Sequence, residues 1–259
     1  MGYQAYFIDL DGTTYKGTTT IPAAARFVQQ IQKLDKKIMF VTNNSTRTPE
    51  FVADNLKTNH NIDVDQSNIY TTALATADYL DQYADHQHRK VYVIGEIGLK
   101  NALLANGFTF DEDNPDYVVV GLDSDVTYHK FELAVLAVRN GATFIGTNAD
   151  SNLPNERGMV PGAGSLVKLV EYATQRQPIM IGKPEKIIMQ MALNKIGLTQ
   201  NQVVMVGDNY HTDIAAGINV GMDTLIVYSG LSKRIDVEKE KILPTYQVDT
   251  LDEWDFSKH

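Results

Sequence analysis

Short apolar runs recur along this chain, separated for the most part by longer segments with helical spacing. The runs are Ala5 to Ile8, Ile38 to Val41, Val91 to Ile94, Tyr117 to Val120, Val203 to Val206 and Thr224 to Val227. A short continuous apolar run is the pattern of a strand buried on both faces. Between the runs, Pro22 opens a segment in which Phe27, Val28, Ile31 and Leu34 share one helical face. Thr48-Pro49-Glu50 offers a cap, a rigid first residue and an early negative charge. Ile187, Ile188, Met191, Ala192 and Ile196 make a further stripe that stops at Gly197. Strands alternating with helices predict an α/β protein with a mainly parallel sheet.

With 259 residues the chain can form one large domain or two modest ones and bury an ample core. The absence of cysteine excludes disulfides, thiolate zinc sites and cysteine nucleophiles, and suits a reducing cytoplasm, where the protein is expected. A net charge of -9 argues against nucleic-acid and membrane partners, which call for clustered Lys and Arg. No apolar run approaches the roughly 20 residues of a membrane helix. The segment Met1 to Tyr6 lacks the basic start of a signal peptide, and Asp9 and Asp11 interrupt the apolar residues beyond it. In mid-chain, residues 104–110 echo residues 138–144; two successive helix-to-strand units produce this either by shared helix-ending chemistry at Asn-Gly, the favoured reading, or by duplication.

The candidate chemistry lies where the runs end. Asp9-Leu10-Asp11-Gly12-Thr13-Thr14 places two carboxylates at the carboxyl end of the first strand, where open α/β sheets bind ligands. One carboxylate there can attack phosphorus, and a second can protonate a leaving oxygen and later activate water. Asp-x-Asp-Gly also suffices to make a simple turn. Val41-Thr42-Asn43-Asn44-Ser45 offers a hydroxyl, amides and backbone N–H groups to phosphate oxygens, or a helix cap. Lys183, between Gly182 and Pro184, is either a surface lysine or a countercharge to Asp9 and an incoming phosphate. Asp208 follows the strand Val203 to Val206, and Asp213 opens the next helix. Oxygen ligands in that place suit magnesium, while an acid at a helix start also stabilises the helix.

In this order, the four segments resemble the motifs of the haloacid dehalogenase-like hydrolases: Asp9-x-Asp11-x-Thr13, Thr42-Asn43, Lys183, and Gly207-Asp208 with Asp213. The resemblance narrows to the NagD-like branch, with its class IIA cap. It rests there on Val41-Thr42-Asn43-Asn44-Ser45, Gly146-Thr147-Asn148-x-Asp150, Pro161-Gly162-x-Gly164-Ser165, Gly182-Lys183-Pro184 and Gly207-Asp208-x-x-x-Thr212-Asp213. It implies a Rossmann-like hydrolase core over 1–80 and 178–259, with an inserted α/β cap domain over 81–177 that closes on the site. It implies a phosphatase acting on small phosphate monoesters: acid sugar phosphates, nucleoside monophosphates or p-nitrophenyl phosphate. In that reading Asp9 is the nucleophile and Asp11 the general acid and base. Thr42 and the Asn43 backbone N–H grip the phosphoryl group that Lys183 neutralises. Magnesium is held by Asp9, the Asp11 carbonyl and Asp208, with Asp213 ligating through water or orienting its neighbours.

Asp11 favours ester hydrolysis or phosphomutase chemistry over relatives that lack this acid. A phosphotransferase of the same fold and a non-catalytic sugar-phosphate sensor are the competing readings. Cap candidates for touching the substrate are Asn148, Asp150 and Arg157, with Glu96 and Asp123 further away. Arg157 is suited to pairing with a substrate carboxylate. His86-x-His88 and His211 read as exposed polar residues, and Trp254 as an anchor for the last segment. A small phosphorylated metabolite is the expected partner, and a monomer or cap-mediated homodimer the expected assembly.

Overall fold

A computed structural model of the chain describes residues 2–85, 87–155 and 157–258. The chain forms two compact units: residues 1–42, 49–70 and 183–259 make the first, and residues 43–48 and 71–182 the second.

The first unit is built on a sheet with strand order Tyr246–Val248, Asp223–Val227, Val203–Gly207, Ala5–Ile8, Lys37–Thr42 and Ile69–Thr71. It is parallel from Tyr246–Val248 through Lys37–Thr42. The expected strands are present; Ala5–Ile8 and Val203–Gly207 are buried throughout, and Lys37–Thr42 and Asp223–Val227 at every residue after the first, as their apolar runs require. Ala5 pairs with both Val203 and Lys37, so Ala5–Ile8 is the middle strand from which the chain winds outward in two directions. Such a reversal of strand order opens a crevice at the strands' carboxyl ends, between Ala5–Ile8 and Val203–Gly207.

Helix Pro22–Lys33 begins on Pro22 and buries Phe27, Val28 and Ile31 against Tyr6, Ile8 and Phe40. Helix Lys186–Ile196 ends on Gly197 in the left-handed conformation. Trp254 is buried in the same core and donates from its indole nitrogen to the Tyr6 hydroxyl at 3.3 Å, so it does anchor the last segment.

The second unit holds its own parallel sheet, ordered Ile179–Met180, Thr143–Gly146, Tyr117–Val120, Lys90–Ile94 and Thr109–Phe110. Helices Thr72–Tyr83, Ile97–Ala105, Tyr128–Arg139 and Ala163–Thr174 accompany it. The mid-chain echo has its structural counterpart here. Ile97–Ala105 leads to Thr109–Phe110 and Tyr128–Arg139 to Thr143–Gly146, with Gly107 and Gly141 at positive φ in the equivalent turns. An antiparallel hairpin, Asn152–Asn155 with Gly158–Pro161, stands apart from this sheet.

Candidate active site

Asp9 follows the last residue of Ala5–Ile8 and Asp208 follows Gly207 at the end of the neighbouring strand, so two carboxylates flank the crevice. Lys183 lies three residues before helix Lys186–Ile196 and is 2% exposed, a burial that an ammonium tolerates only when paired. Its Nζ donates to Asp9 Oδ1 at 2.6 Å, to Asp213 Oδ1 at 2.7 Å and to the Val41 carbonyl at 2.8 Å. Asp213 sits in a π-helical turn, Tyr210–Ile214, and its second oxygen accepts the Asn209 N–H at 3.1 Å.

Asp208 is held as firmly. Its Oδ1 accepts from the Thr13 hydroxyl at 3.0 Å and its Oδ2 from the Leu231 N–H at 2.6 Å. Gly12 and Gly230 pack directly on this carboxylate: a Cβ on either would collide with it, and Gly12 has φ +98°. The Thr14 hydroxyl donates to the Asp9 carbonyl at 2.7 Å, and the Ser229 hydroxyl to the Gly12 carbonyl at 3.0 Å. The segment from Ser229 to Ser232 thus supports both acidic loops. It is absent from the residues expected on sequence, because a serine-glycine loop after a strand carries no chemical signature of its own.

Three carboxylates face one ammonium in this cluster. Burial first, and then the Asp213 charge, push the Asp9 carboxyl well above the usual carboxylate range despite Lys183. Burial and Asp213 likewise raise Asp208 to about 6, against the opposing hydrogen bonds from Leu231 and Thr13. Burial works against the Lys183 charge, but Asp213 and Asp9 outweigh it and hold its pKa above that of an ordinary lysine. The surplus of negative charge is what a bound cation would neutralise. Asp9, Asp208 and Asp213 each present an oxygen within 4.8 Å of the others, an all-oxygen set that fits a hard divalent ion.

The structure therefore gathers Asp9, Lys183, Asp208 and Asp213 with Thr13 in one cluster. Thr42 is buried at the end of Lys37–Thr42, one residue beyond the carbonyl that Lys183 holds. The Asp11 side chain is exposed and outside the cluster, and its Oδ1 accepts the Gly17 N–H at 3.2 Å.

The second unit collects other expected residues around Asn43. The Asn43 carbonyl accepts from Asn148 Nδ2 at 2.8 Å and from the Thr72 hydroxyl at 2.7 Å. Its side-chain amide donates to both Asp150 oxygens, at 3.1 and 3.2 Å, and Asn148 Oδ1 accepts the Asp150 N–H. Asn148 and Asp150 are thus engaged in holding Asn43. Arg157 belongs to neither group: it is exposed on the hairpin turn, its N–H donating to Asn155 Oδ1. Asp123 is buried against Lys130, and Glu96 accepts from Ser124. His211 is exposed, while His86 lies outside the described residues. No helix among the described residues is long and apolar enough to cross a membrane.

Comparison with known proteins agrees with this geometry. The family profile described as haloacid dehalogenase-like hydrolase matches residues 6–109, and one described as HAD-hydrolase-like matches 180–254. The chain is 47% identical to 5'-nucleotidase YutF of Bacillus subtilis over 97% of both chains. It is 49% identical to an acid sugar phosphatase of Staphylococcus epidermidis, over 94% of this chain and 93% of that one. The solved structure of NagD from E. coli K-12 superposes with a TM-score of 0.93 at 34% identity, covering 99% of this chain and 100% of that one. The clustered acids, the buried lysine and this likeness along nearly the whole chain agree: the protein belongs to the haloacid dehalogenase-like hydrolases, in their NagD-like phosphatase branch.

Proposed function

We propose that the protein is a magnesium-dependent phosphatase that hydrolyses small phosphate monoesters through an aspartyl phosphate on Asp9. The observation that carries this reading is the buried Lys183 bridging Asp9 and Asp213, beside Asp208, at the carboxyl edge of a parallel sheet. Asp9 Oδ1 is tied to Lys183, and Oδ2 is the oxygen assigned to attack. Attack forms the Asp9–phosphorus bond as the ester oxygen departs, and Asp11 supplies that oxygen with a proton. Asp11, now a carboxylate, takes a proton from water as the water oxygen attacks phosphorus and frees Asp9. Thr42 and the Asn43 N–H bind the phosphoryl oxygens, and Lys183 offsets their charge.

Asp9, Asp208, the Asp11 carbonyl and, directly or through water, Asp213 would hold magnesium, which would supply positive charge to the nucleophile and the transferring group. We assign residues 81–177, which lie within the second unit, as the cap, and take Asn148 and Asp150 as residues that orient Asn43. The substrate class is small phosphorylated metabolites; the relatives' names, a 5'-nucleotidase and an acid sugar phosphatase, make nucleoside monophosphates and acid sugar phosphates the first esters to assay. Phosphate release from p-nitrophenyl phosphate tests the chemistry. It should need magnesium and vanish in Asp9→Asn and Asp11→Asn; full activity in both variants refutes the assignment.

A further inference from the structure

Asp11 must present its carboxyl group to a leaving oxygen, yet it is exposed and lies four residues before a hairpin of two-residue strands, Tyr15–Lys16 and Thr19–Thr20. A hairpin this small does not hold its shape by itself. Tyr15 packs against the apolar core, and further support comes from the last residue of helix Pro49–His60. The His60 side chain is buried, with the residue 1% exposed, and its ring stacks on Tyr15 with centroids 4.6 Å apart and planes within 15°.

The His60 Nδ1 lies 3.0 Å from the Thr20 hydroxyl oxygen, and that hydroxyl donates to the Asn59 carbonyl at 3.0 Å. With the hydroxyl proton assigned to Asn59, the contact is assigned as Nδ1–H donating to the Thr20 oxygen. One buried ring therefore grips a side chain from each strand of the hairpin. Burial also holds the His60 pKa below the ordinary histidine value.

The hairpin in turn holds Asp11. The Gly17 N–H donates to Asp11 Oδ1 at 3.2 Å, the Gly12 N–H donates to the Tyr15 carbonyl at 2.6 Å, and Asp11 forms a backbone bridge with Tyr15. Tyr15 also stands within the field of both catalytic carboxylates. Burial first, then Asp9 and Asp11, raise its pKa and keep the phenol protonated.

We propose that His60 is a positioning residue for Asp11, clamping the Tyr15–Thr20 hairpin so that the carboxyl group is aimed at the leaving oxygen. His60 touches no reacting atom, and its role rests on the assignment of Asp11 as general acid made above. Nothing in the sequence around His60 announces it: the ring meets Thr20 across 40 positions.

The test compares p-nitrophenyl phosphate with phenyl phosphate, whose more basic leaving group depends more on protonation. It is made with wild-type protein, His60→Ala, and Thr20→Val, which removes only the hydroxyl contact and carries the test if His60→Ala does not fold. The value of kcat/KM reports the first irreversible step, in which the proton is given. His60→Ala should lower kcat/KM about tenfold more for phenyl phosphate than for p-nitrophenyl phosphate, and Thr20→Val should show the same bias at several-fold. Inhibition by inorganic phosphate should be unchanged. Equal losses on both esters, or no loss in either variant, overturn the clamp while leaving the proposed reaction intact. A wild-type protein without magnesium-dependent turnover of either ester overturns the Asp11 assignment, and the clamp with it.

Discussion

The Lys183 ammonium donates to Asp9 Oδ1 at 2.6 Å, although the two residues are 174 positions apart in the chain. This contact ties the carboxyl end of the central strand to the segment that precedes helix Lys186–Ile196, and Asp213 completes the bridge. The same ammonium neutralises part of a buried acidic cluster. Its removal consequently affects the fold as well as the chemistry.

Lys183→Ala should destabilise the metal-free protein by about 3–5 kcal/mol, because it strands buried carboxylates without their cation. Equilibrium denaturant unfolding in the presence of a chelator measures this. Phosphatase activity should fall to background in the folded fraction of the variant. A well-folded variant with unaltered stability would mean that the cluster is solvated and not buried.

Magnesium and pH should be coupled through Asp208. Its folded-state pKa, raised by burial to about 6 from an ordinary value of 3.8, means that the native state holds this proton more tightly than the unfolded chain. Stability from this group is therefore fully present at low pH and declines as pH rises between those two values. Asp9, also raised, acts in the same direction. Bound magnesium favours the ionised carboxylates and offsets the loss. The increase in Tm on adding magnesium chloride should accordingly be larger well above pH 6 than well below it, a trend that thermal unfolding across a pH series will show.

Gly12→Ala should weaken magnesium activation without unfolding the protein. The new methyl would press on the Asp208 carboxylate, and φ +98° is unfavourable for alanine. Moving that carboxylate disturbs a magnesium ligand in the proposed site, so half-maximal activation should need about tenfold more magnesium. Titrating activity against magnesium, with circular dichroism to confirm the fold, checks this.

Asp150→Ala separates two roles for that residue. As a holder of Asn43 through both carboxylate oxygens, Asp150 should affect every phosphate ester alike: KM rises several-fold across esters, and inhibition by inorganic phosphate weakens in step. Direct recognition of one leaving group would instead raise KM for that ester alone. Steady-state kinetics with a small ester panel distinguishes the two.

Much of this architecture was legible because buried parallel strands are written as unbroken apolar runs. Ala5–Ile8 and Tyr117–Val120 coincide with their runs, and the other four expected strands extend theirs by one or two residues. The acids at strand ends were legible for a related reason, since a carboxylate directly after an apolar strand must emerge at the sheet's edge. Short or half-buried strands such as Tyr246–Val248 and Ile179–Met180 carried no comparable signal, nor did the two hairpins. The sequence also suggested Asn148 and Asp150 as polar cap residues without indicating that they converge on Asn43, more than 100 positions earlier. His60 and the Ser229 to Ser232 loop stayed hidden because their importance lies in long-range partners, which residue type and spacing do not encode.

A rapid acid quench of magnesium-loaded protein turning over phosphorus-labelled p-nitrophenyl phosphate shows whether Asp9 carries the phosphoryl group. Covalent label is expected on the peptide containing Asp9, removable by hydroxylamine and absent in Asp9→Asn. Rapid turnover with no protein-bound label at any quench time, or label that persists in Asp9→Asn, would contradict it.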